Sequence, residues 1–346
     1  MKAVFRFSAA AGALLAAQMT GGVHAQAQSL DTFFQAQPFT ILVGYPPGAG
    51  YDLYARLIAS RIGQYLPGKP KVVVQNMPGA GSLTSANHLY NVARQDGSIV
   101  GTFSRGVTML PLIDSTGMRY DSLKFNWVGS PTGEVSLAIA WHESGVNKFD
   151  DLRTRGMTSA TSGAGSDGSI YGRVLNAILG TKIKTVMGYQ GSAQSMLAIE
   201  RKEVDGATSV SYAAIKTAQR EWLFNKKVNL LAQHGLKAHP ELKDVPLILD
   251  FAKSADDRRV LEMVFARQAI GYPYTAPPNV PADRLEAIRK AFQATLQDAE
   301  FLAATAKAGL LVDGMTGQQV QALLGGLYSM PPAIAERAKA AMQPPK

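Results

Sequence analysis

The chain has 346 residues, enough for two domains with proper cores. It contains no cysteine, which excludes disulfides and thiolate metal sites. Its formal net charge of +9 comes as scattered pairs such as Lys182/Lys184, Arg201/Lys202, Lys226/Lys227 and Arg258/Arg259. A nucleic-acid surface would cluster its charges and interleave aromatics, so that class is excluded, whereas a mild positive field suits an anionic solute.

Lys2 and Arg6 precede an apolar run from Phe7 to Met19, and Val23-His24-Ala25 places small residues for cleavage, with Ala25-Gln26-Ala27 as a second candidate. This predicts a secretory signal peptide over residues 1–25 and a soluble, exported mature chain of charge +7. A retained N-terminal anchor is the alternative, although the run falls short of the roughly 20 residues a membrane span needs. Residues 26–37 are polar and read as a loose leader.

Phe39–Val43 has the pattern of a buried strand, stopped by Pro46 and Pro47. Gly48 and Gly50 leave the following turn bare, and Asp52 precedes Leu53, Leu57, Ile58, Ile62 and Leu66 at helical spacing. A bare glycine turn entering a helix offers free N–H groups and the positive end of a helix dipole to an anion. The pattern recurs. Strand-like 71–75 enters Asn76-Met77-Pro78-Gly79-Ala80-Gly81-Ser82. Strand-like 157–161 enters Ser162-Gly163-Ala164-Gly165-Ser166-Asp167-Gly168-Ser169. Strand-like 183–189 enters Gln190-Gly191-Ser192. Four such turns in two groups predict an α/β chain of two lobes.

Between the groups, Ile99–Phe103 reads as a strand with Ser104-Arg105-Gly106 at its end, where open α/β sheets place ligands. Strand-like 125–128 and 135–141 carry the chain toward a second lobe, and 228–232 reads as a strand and the return hinge. A strand is expected at 270–272, the four prolines of 272–281 read as a separating loop, and helices over 283–296, 299–308, 317–327 and from about Pro331 form a tail packed on the first lobe. The expected division is 38–135 with 233–346 as lobe 1 and 136–232 as lobe 2.

Enzyme readings fare worse. Gly48-Ala49-Gly50 opens a dinucleotide-type motif, but Leu53 stands where the third glycine belongs, and no P-loop is present. Ala164-Gly165-Ser166-Asp167-Gly168 loosely mimics a nucleophile elbow, and His88, His142, His234 or His239 would complete a secreted serine hydrolase. That reading leaves the other glycine turns unexplained. No histidine pair has helical metal spacing, so no metal or cofactor is expected.

These motifs, in this order, resemble the periplasmic solute-binding proteins of tripartite tricarboxylate transporters, the TctC or Bug family. The matching segments are Pro46-Pro47-Gly48-Ala49-Gly50-Tyr51-Asp52, Asn76–Gly81, Ser162–Ser166, Tyr189-Gln190-Gly191-Ser192, Val204-Asp205 and Asp244-Val245-Pro246, and they span about Phe39 to about 340. The resemblance implies a type II periplasmic binding protein fold, two α/β lobes joined by two crossing strands. It also implies closure on a small organic anion, a mono- or dicarboxylate gripped largely by backbone N–H groups. The implied partners are the transporter's membrane subunits, the chain acts as a monomer, and a sensor input module is the runner-up within the binding class. Ala49 stands where the family usually has glycine, and Tyr51 where it has a small hydroxyl residue.

On this reading Tyr45, Gly48, Ala49 and Gly50 form one wall, joined by Gly81 and Ser104 at neighbouring turns, and Ser162, Gly165, Ser166 and Ser169 form the facing anion nest. Each N–H bond to a carboxylate contributes about 1.5–3 kcal/mol. Asp52 is either a helix cap or the acceptor for a ligand ammonium or hydroxyl. Arg105 is either solvated or paired with a second carboxylate. Tyr189 and Gln190 face the ligand from the second lobe, and Asp205 caps or orients turns there. Trp127, Trp141 and Trp222 read as packing, with Trp141 near the hinge.

Overall fold

A computed structural model describes residue 1 and residues 29–48, 50–112, 117–163, 166–189 and 192–344. Residues 2–28, which include all of the predicted signal peptide but Met1, and the expected ligand residues Ala49, Gly165 and Gln190, lie outside the described residues.

In chain order the helices are α1 (Leu30–Gln35), α2 (Gly50–Ile62), α3 (Leu83–Asn91), α4 (Asp151–Thr154), α5 (Asp167–Leu179), α6 (Ser192–Glu200) and α7 (Tyr212–Ala218). They continue as α8 (Arg220–Phe224), α9 (Ala255–Phe265), α10 (Arg267–Ile270), α11 (Ala282–Leu296), α12 (Ala299–Lys307), α13 (Gly317–Tyr328) and α14 (Pro332–Met342). The strands are β1 (Phe39–Val43), β2 (Val72–Asn76), β3 (Ile99–Thr102), β4 (Asn126–Ser130), β5 (Ser136–Trp141) and β6 (Met157–Thr161). They continue as β7 (Ile183–Met187), β8 (Gly206–Ser211), β9 (Val228–His234), β10 (Tyr274–Ala276) and β11 (Met315–Thr316).

Two sheets organise the molecule, a six-stranded one in the order β11-β4-β10-β3-β1-β2 and a five-stranded one in the order β7-β6-β8-β5-β9. In the first, β1 lies parallel to β2 and β3, while β10 inserts antiparallel between β3 and β4. In the second, β6 runs parallel to β7 and β8, and β5 lies antiparallel to β8 and β9. This is the mixed α/β, two-lobed architecture expected from the sequence.

Strand alternation decides the layers. Phe39, Ile41 and Val43 of β1 face a core shared with α1, α2 and α11, while Leu42 faces the opposite core with Leu89, Phe103 and Trp127. That second core runs on without interruption into α5, α9 and α14, so one apolar layer spans both lobes. A third core packs α6, α7 and α8 on the far side of the second sheet.

Several expectations need correction. Residues 30–35 form a helix capped by Ser29, because Phe33 and Phe34 find burial against Phe39. Ile270 ends a helix rather than starting a strand, and the strand is instead β10, three residues held between Pro273 and Pro277. Both prolines flank the strand, so neither removes a ladder donor. The 228–232 strand continues to His234 within the second sheet, and α9 packs on α5, so the chain has not yet returned to the first lobe there. The tail divides as well. Helices α11, α12 and α13 pack on the first lobe, whereas α14 packs on α5 and α9. Trp127, Trp141 and Trp222 are all buried, but Trp141 lies at the far end of β5, edge-on to Trp222 at 5.6 Å and away from the crossings.

The chain crosses between the sheets twice, at residues 130–136 and 268–274. The crossings are tied by the Glu134 N–H donating to the Gln268 carbonyl at 2.7 Å. Ser130 Oγ also sits 2.5 Å from the Ile270 carbonyl and accepts from the Tyr272 N–H at 3.1 Å. Gly271 has φ +38°, and a Cβ there would meet the Thr132 carbonyl oxygen at 2.2 Å. Only glycine lets the two crossings approach this closely.

Candidate functional site

The β1–α2 corner is built on aromatic rings. Tyr45 stacks on Tyr51 with centroids 4.5 Å apart, and Tyr272 packs against Tyr51 at 4.7 Å and Tyr54 at 4.5 Å. The Tyr51 hydroxyl donates to the Gly271 carbonyl at 3.1 Å and accepts from the Arg105 N–H at 3.0 Å. Burial pushes its pKa far up, so the phenol stays protonated as a donor. Tyr51 therefore fastens the corner to the second crossing and to the end of β3.

Gly48 is exposed, but its N–H donates to Asp52 Oδ2 at 2.8 Å. Asp52 also accepts from Arg56 Nε and Asn76 Nδ2, both at 2.8 Å, and is 2% exposed. The Arg56 hydrogen bond, aided by Gly48 and Asn76, overcomes burial and holds its carboxyl down at about 2. Two carboxylate oxygens thus serve three donors, which is the capping alternative for Asp52. Gly50 opens α2 with its Cα edge toward the Tyr272 ring.

At the next turn Gly81 is exposed in a left-handed conformation with open space around it. The following Ser82, also left-handed and 1% exposed, was not singled out from sequence. Its hydroxyl donates to the Gly44 carbonyl at 3.0 Å and accepts from the Ser104 N–H at 3.3 Å, which pins the ends of β1 and β3 together. Ser104 caps the 3-10 turn Arg105–Thr108 through the Gly106 N–H.

On the facing lobe Ser162 is exposed, and Ser166 caps α5 by accepting from the Ser169 N–H. The Ser166 hydroxyl also reaches the Gly163 carbonyl at 2.7 Å and the Thr161 hydroxyl, and buried Ser169 donates to Thr161 at 3.2 Å. These hydroxyls hold the turn in shape, and none of these bonds runs to a histidine. The Tyr189 N–H donates to the Thr161 carbonyl at 3.4 Å, and its ring lies against the third core. Asp205 sits elsewhere. It accepts from the Thr158 N–H at 2.8 Å and hydroxyl at 2.7 Å, at the opposite end of β6 from the glycine turn, so it orders strands rather than facing the cleft.

Arg105 joins the two halves. It leaves the end of β3 and reaches Asp167 Oδ2, in the first turn of α5, at 3.0 Å, and Glu134 Oε2, on the first crossing, at 3.4 Å. Arg267 of α10 approaches the other Asp167 oxygen at 3.2 Å and lies over the Tyr171 ring at 5.0 Å. Burial works against ionisation of Asp167, but the two guanidiniums outweigh it and hold its carboxyl below the usual range. Behind them Gln268 Nε2 donates to Tyr171, and Ser136 contacts His234 Nδ1 at 3.1 Å. Burial holds His234 down at about 3, so it is neutral. Both Ser136 and His234 are closed to a substrate, at 2% and 0% exposed.

The sequence reading placed Asp167 inside a glycine turn without a role and passed over Glu134 and Arg267. An acid in the first turn of a helix after a glycine loop is a local signal for Asp167. Nothing local marks the other two.

Beside this ion cluster lies a cavity of about 510 Å³, walled by both crossings, Tyr54, Tyr212, Tyr272, Asp313 and apolar residues such as Leu311 and Met315. None of the described residues expected to bind ligand lines it. Among the described residues no group of His, Asp or Glu could hold a metal ion, and no helix is long and apolar enough to cross a membrane.

Two α/β lobes, two crossings and a charged cleft between them define the architecture of two-lobed periplasmic binding proteins. The chain resembles the TctC/Bug solute-binding proteins in particular. It superposes on a TctC solute-binding protein from Polaromonas with a TM-score of 0.67 at 15% identity, covering 87% of this chain and 98% of that one. It superposes on R. palustris Rpa4515, solved with adipate, with a TM-score of 0.62 at 19% identity, covering 87% and 97%. In sequence it is 26% identical over 244 residues to a UPF0065 protein in the tcbD–tcbE intergenic region of Pseudomonas sp. strain P51, a match that spans 66% of each chain, just under two thirds. No family model matches the chain. At these identities the superpositions establish the fold alone.

Proposed function

We propose that the protein is an extracytoplasmic solute-binding protein that captures a small organic anion by lobe closure and delivers it to the membrane subunits of a tripartite tricarboxylate-type transporter, without catalysis. The observation that carries this reading is Arg105, fixed by its backbone to the first lobe and holding a carboxylate of the second at 3.0 Å. Arg105 is thus already arranged to grip a carboxylate between the lobes, and Asp167 supplies the carboxylate it holds. An incoming carboxylate exchanges with Asp167 on Arg105, with the N-terminal end of α5 and the β1–α2 turn alongside. The adipate bound to Rpa4515 is consistent with a dicarboxylate of similar size.

We assign the lobes to 38–131 with 273–331 and to 134–270 with 332–344; the packing of α9 and α14 on α5 supports these bounds over the return after residue 232 expected from sequence. Residues 1–25 are assigned as a cleaved signal peptide, which gives a periplasmic address for a monomer. The test is a thermal-shift and titration screen against mono- and dicarboxylates of two to six carbons. A saturable, concentration-dependent stabilisation that falls at least tenfold in affinity with Arg105→Ala supports the reading. Equal binding by Arg105→Ala refutes the assigned grip.

A further inference from the structure

The cavity beside the ion cluster has a chemistry that a plain dicarboxylate does not match. Its walls present acceptors, from half-buried Glu134 and buried Gln268 to exposed Asp313. Glu134 spends one oxygen on Arg105 at 3.4 Å, and its other oxygen has no partner among the described residues. Asp313, itself exposed, spends one oxygen on the Thr132 hydroxyl at 2.7 Å and the Gly133 N–H at 3.1 Å, and its second has no partner among the described residues. Gln268, fully buried and lining the same cavity, has an Oε1 with no hydrogen-bond partner. The ring of Tyr272 lines the cavity beside Tyr54, 4.5 Å away, and its hydroxyl has no hydrogen bond among the described residues. Uncommitted acceptors in a cavity wall, one of them on a fully buried side chain, call for a donor, and two carboxylates beside tyrosine faces favour a cationic one. Lys237 also lines the cavity; it and Asp313 are both exposed, so solvent screens both charges and half-buried Glu134 dominates the local field.

Glu134 touches Arg105 and also lines the cavity. One solute can therefore place a carboxylate on the arginine side of Glu134 and a second group on the acceptor side. We propose that the solute is a zwitterion, a carboxylate whose other end is a protonated amine held by Glu134, Asp313 and the Tyr272 ring. This rests on the function proposed above and narrows its substrate class.

The experiment compares matched pairs by titration calorimetry on the full chain: 4-aminobutanoate with succinate, 5-aminopentanoate with glutarate, and 6-aminohexanoate with adipate. Hexylamine is included as an amine without a carboxylate. In at least one pair the amino acid binds tenfold or more tighter than the dicarboxylate, and Glu134→Gln or Asp313→Asn brings that ratio close to one. If every dicarboxylate binds as tightly as its amino acid, the inference is overturned while the organic-anion function stands. If hexylamine binds as well as 6-aminohexanoate, the carboxylate grip falls and the amine site survives. If no compound binds, both fall. The wild-type comparison decides the matter even if a variant fails to fold.

Discussion

Replacing Asp167 with asparagine should tighten binding of an organic anion while weakening the fold. Asp167 contacts Arg105 at 3.0 Å and Arg267 at 3.2 Å, and these three side chains are 31%, 18% and 11% exposed respectively. Partly exposed pairs of this kind are worth about 1–2 kcal/mol each after solvation. The neutral amide keeps the shape and an acceptor oxygen, but no longer competes for the guanidinium of Arg105. A ligand carboxylate then recovers about 1–2 kcal/mol that it would otherwise spend displacing Asp167, which corresponds to roughly 5–30-fold tighter binding. The fold loses about 1–3 kcal/mol, because Arg105 is left with Glu134 and Arg267 with the Tyr171 hydroxyl and ring. Titration calorimetry with the best carboxylate measures the first effect, and urea unfolding the second. If affinity is unchanged or lower while the variant unfolds cooperatively, Asp167 does not stand in for the solute and the exchange mechanism is wrong.

Tyr51→Phe keeps the stacked ring but removes both hydroxyl bonds, and leaves the Arg105 N–H unpaired. Urea unfolding should show a loss of about 1–3 kcal/mol. Gly271→Ala forces a Cβ to within 2.2 Å of the Thr132 carbonyl at φ +38°, and should cost at least about 2 kcal/mol. Gly81→Ala, at φ +63° with nothing within 4 Å, should cost only about 1 kcal/mol, so similar losses at the two sites would refute the crowding argument for the crossing. Asp52→Asn should lower stability and leave carboxylate affinity unchanged, because its partners are Gly48, Arg56 and Asn76; a selective loss of affinity in titrations would contradict the capping role. His234 ordinarily titrates near 6.5 and is held down at about 3 by burial. Between those values the unfolded chain binds a proton that the folded chain does not, so stability falls on acidification, by about 2 kcal/mol from pH 7 to pH 5. Denaturation at both pH values should show His234→Asn losing much less over that interval.

The strand–turn–helix units were legible because each is a local pattern. Phe39–Val43 alternates between two cores, and the glycine turns at Gly48, Gly81 and Gly163 do join strands to helices. The site was read less well. Ser166 and Ser169 belong to a residue type that can donate to an anion, and Asp52 to one that accepts from an ammonium or hydroxyl, yet their polar atoms are engaged by neighbouring protein groups. Sequence cannot tell a group offered to a ligand from one already satisfied by a neighbour, since that depends on which partner lies within about 3 Å. The return of the chain was misplaced for a related reason. Nothing local in 236–265 distinguishes a helix packed on α5 from one packed on the first sheet.

What the sequence determined by itself is the inventory: two α/β units, their glycine corners, an arginine at the end of β3 and a chain without thiols. These follow from periodicity, backbone permissiveness and composition, which act over a few residues. What only the tertiary structure decided is the company each charge keeps. Arg105 meets Asp167, 62 positions on, and Glu134, 29 positions on, and the Glu134 strand passes beside Gln268 and Gly271 of the other crossing. Those meetings are set by the order of strands in two sheets, because sheet order is fixed by burying apolar faces across the whole chain and leaves no mark on the residues nearby.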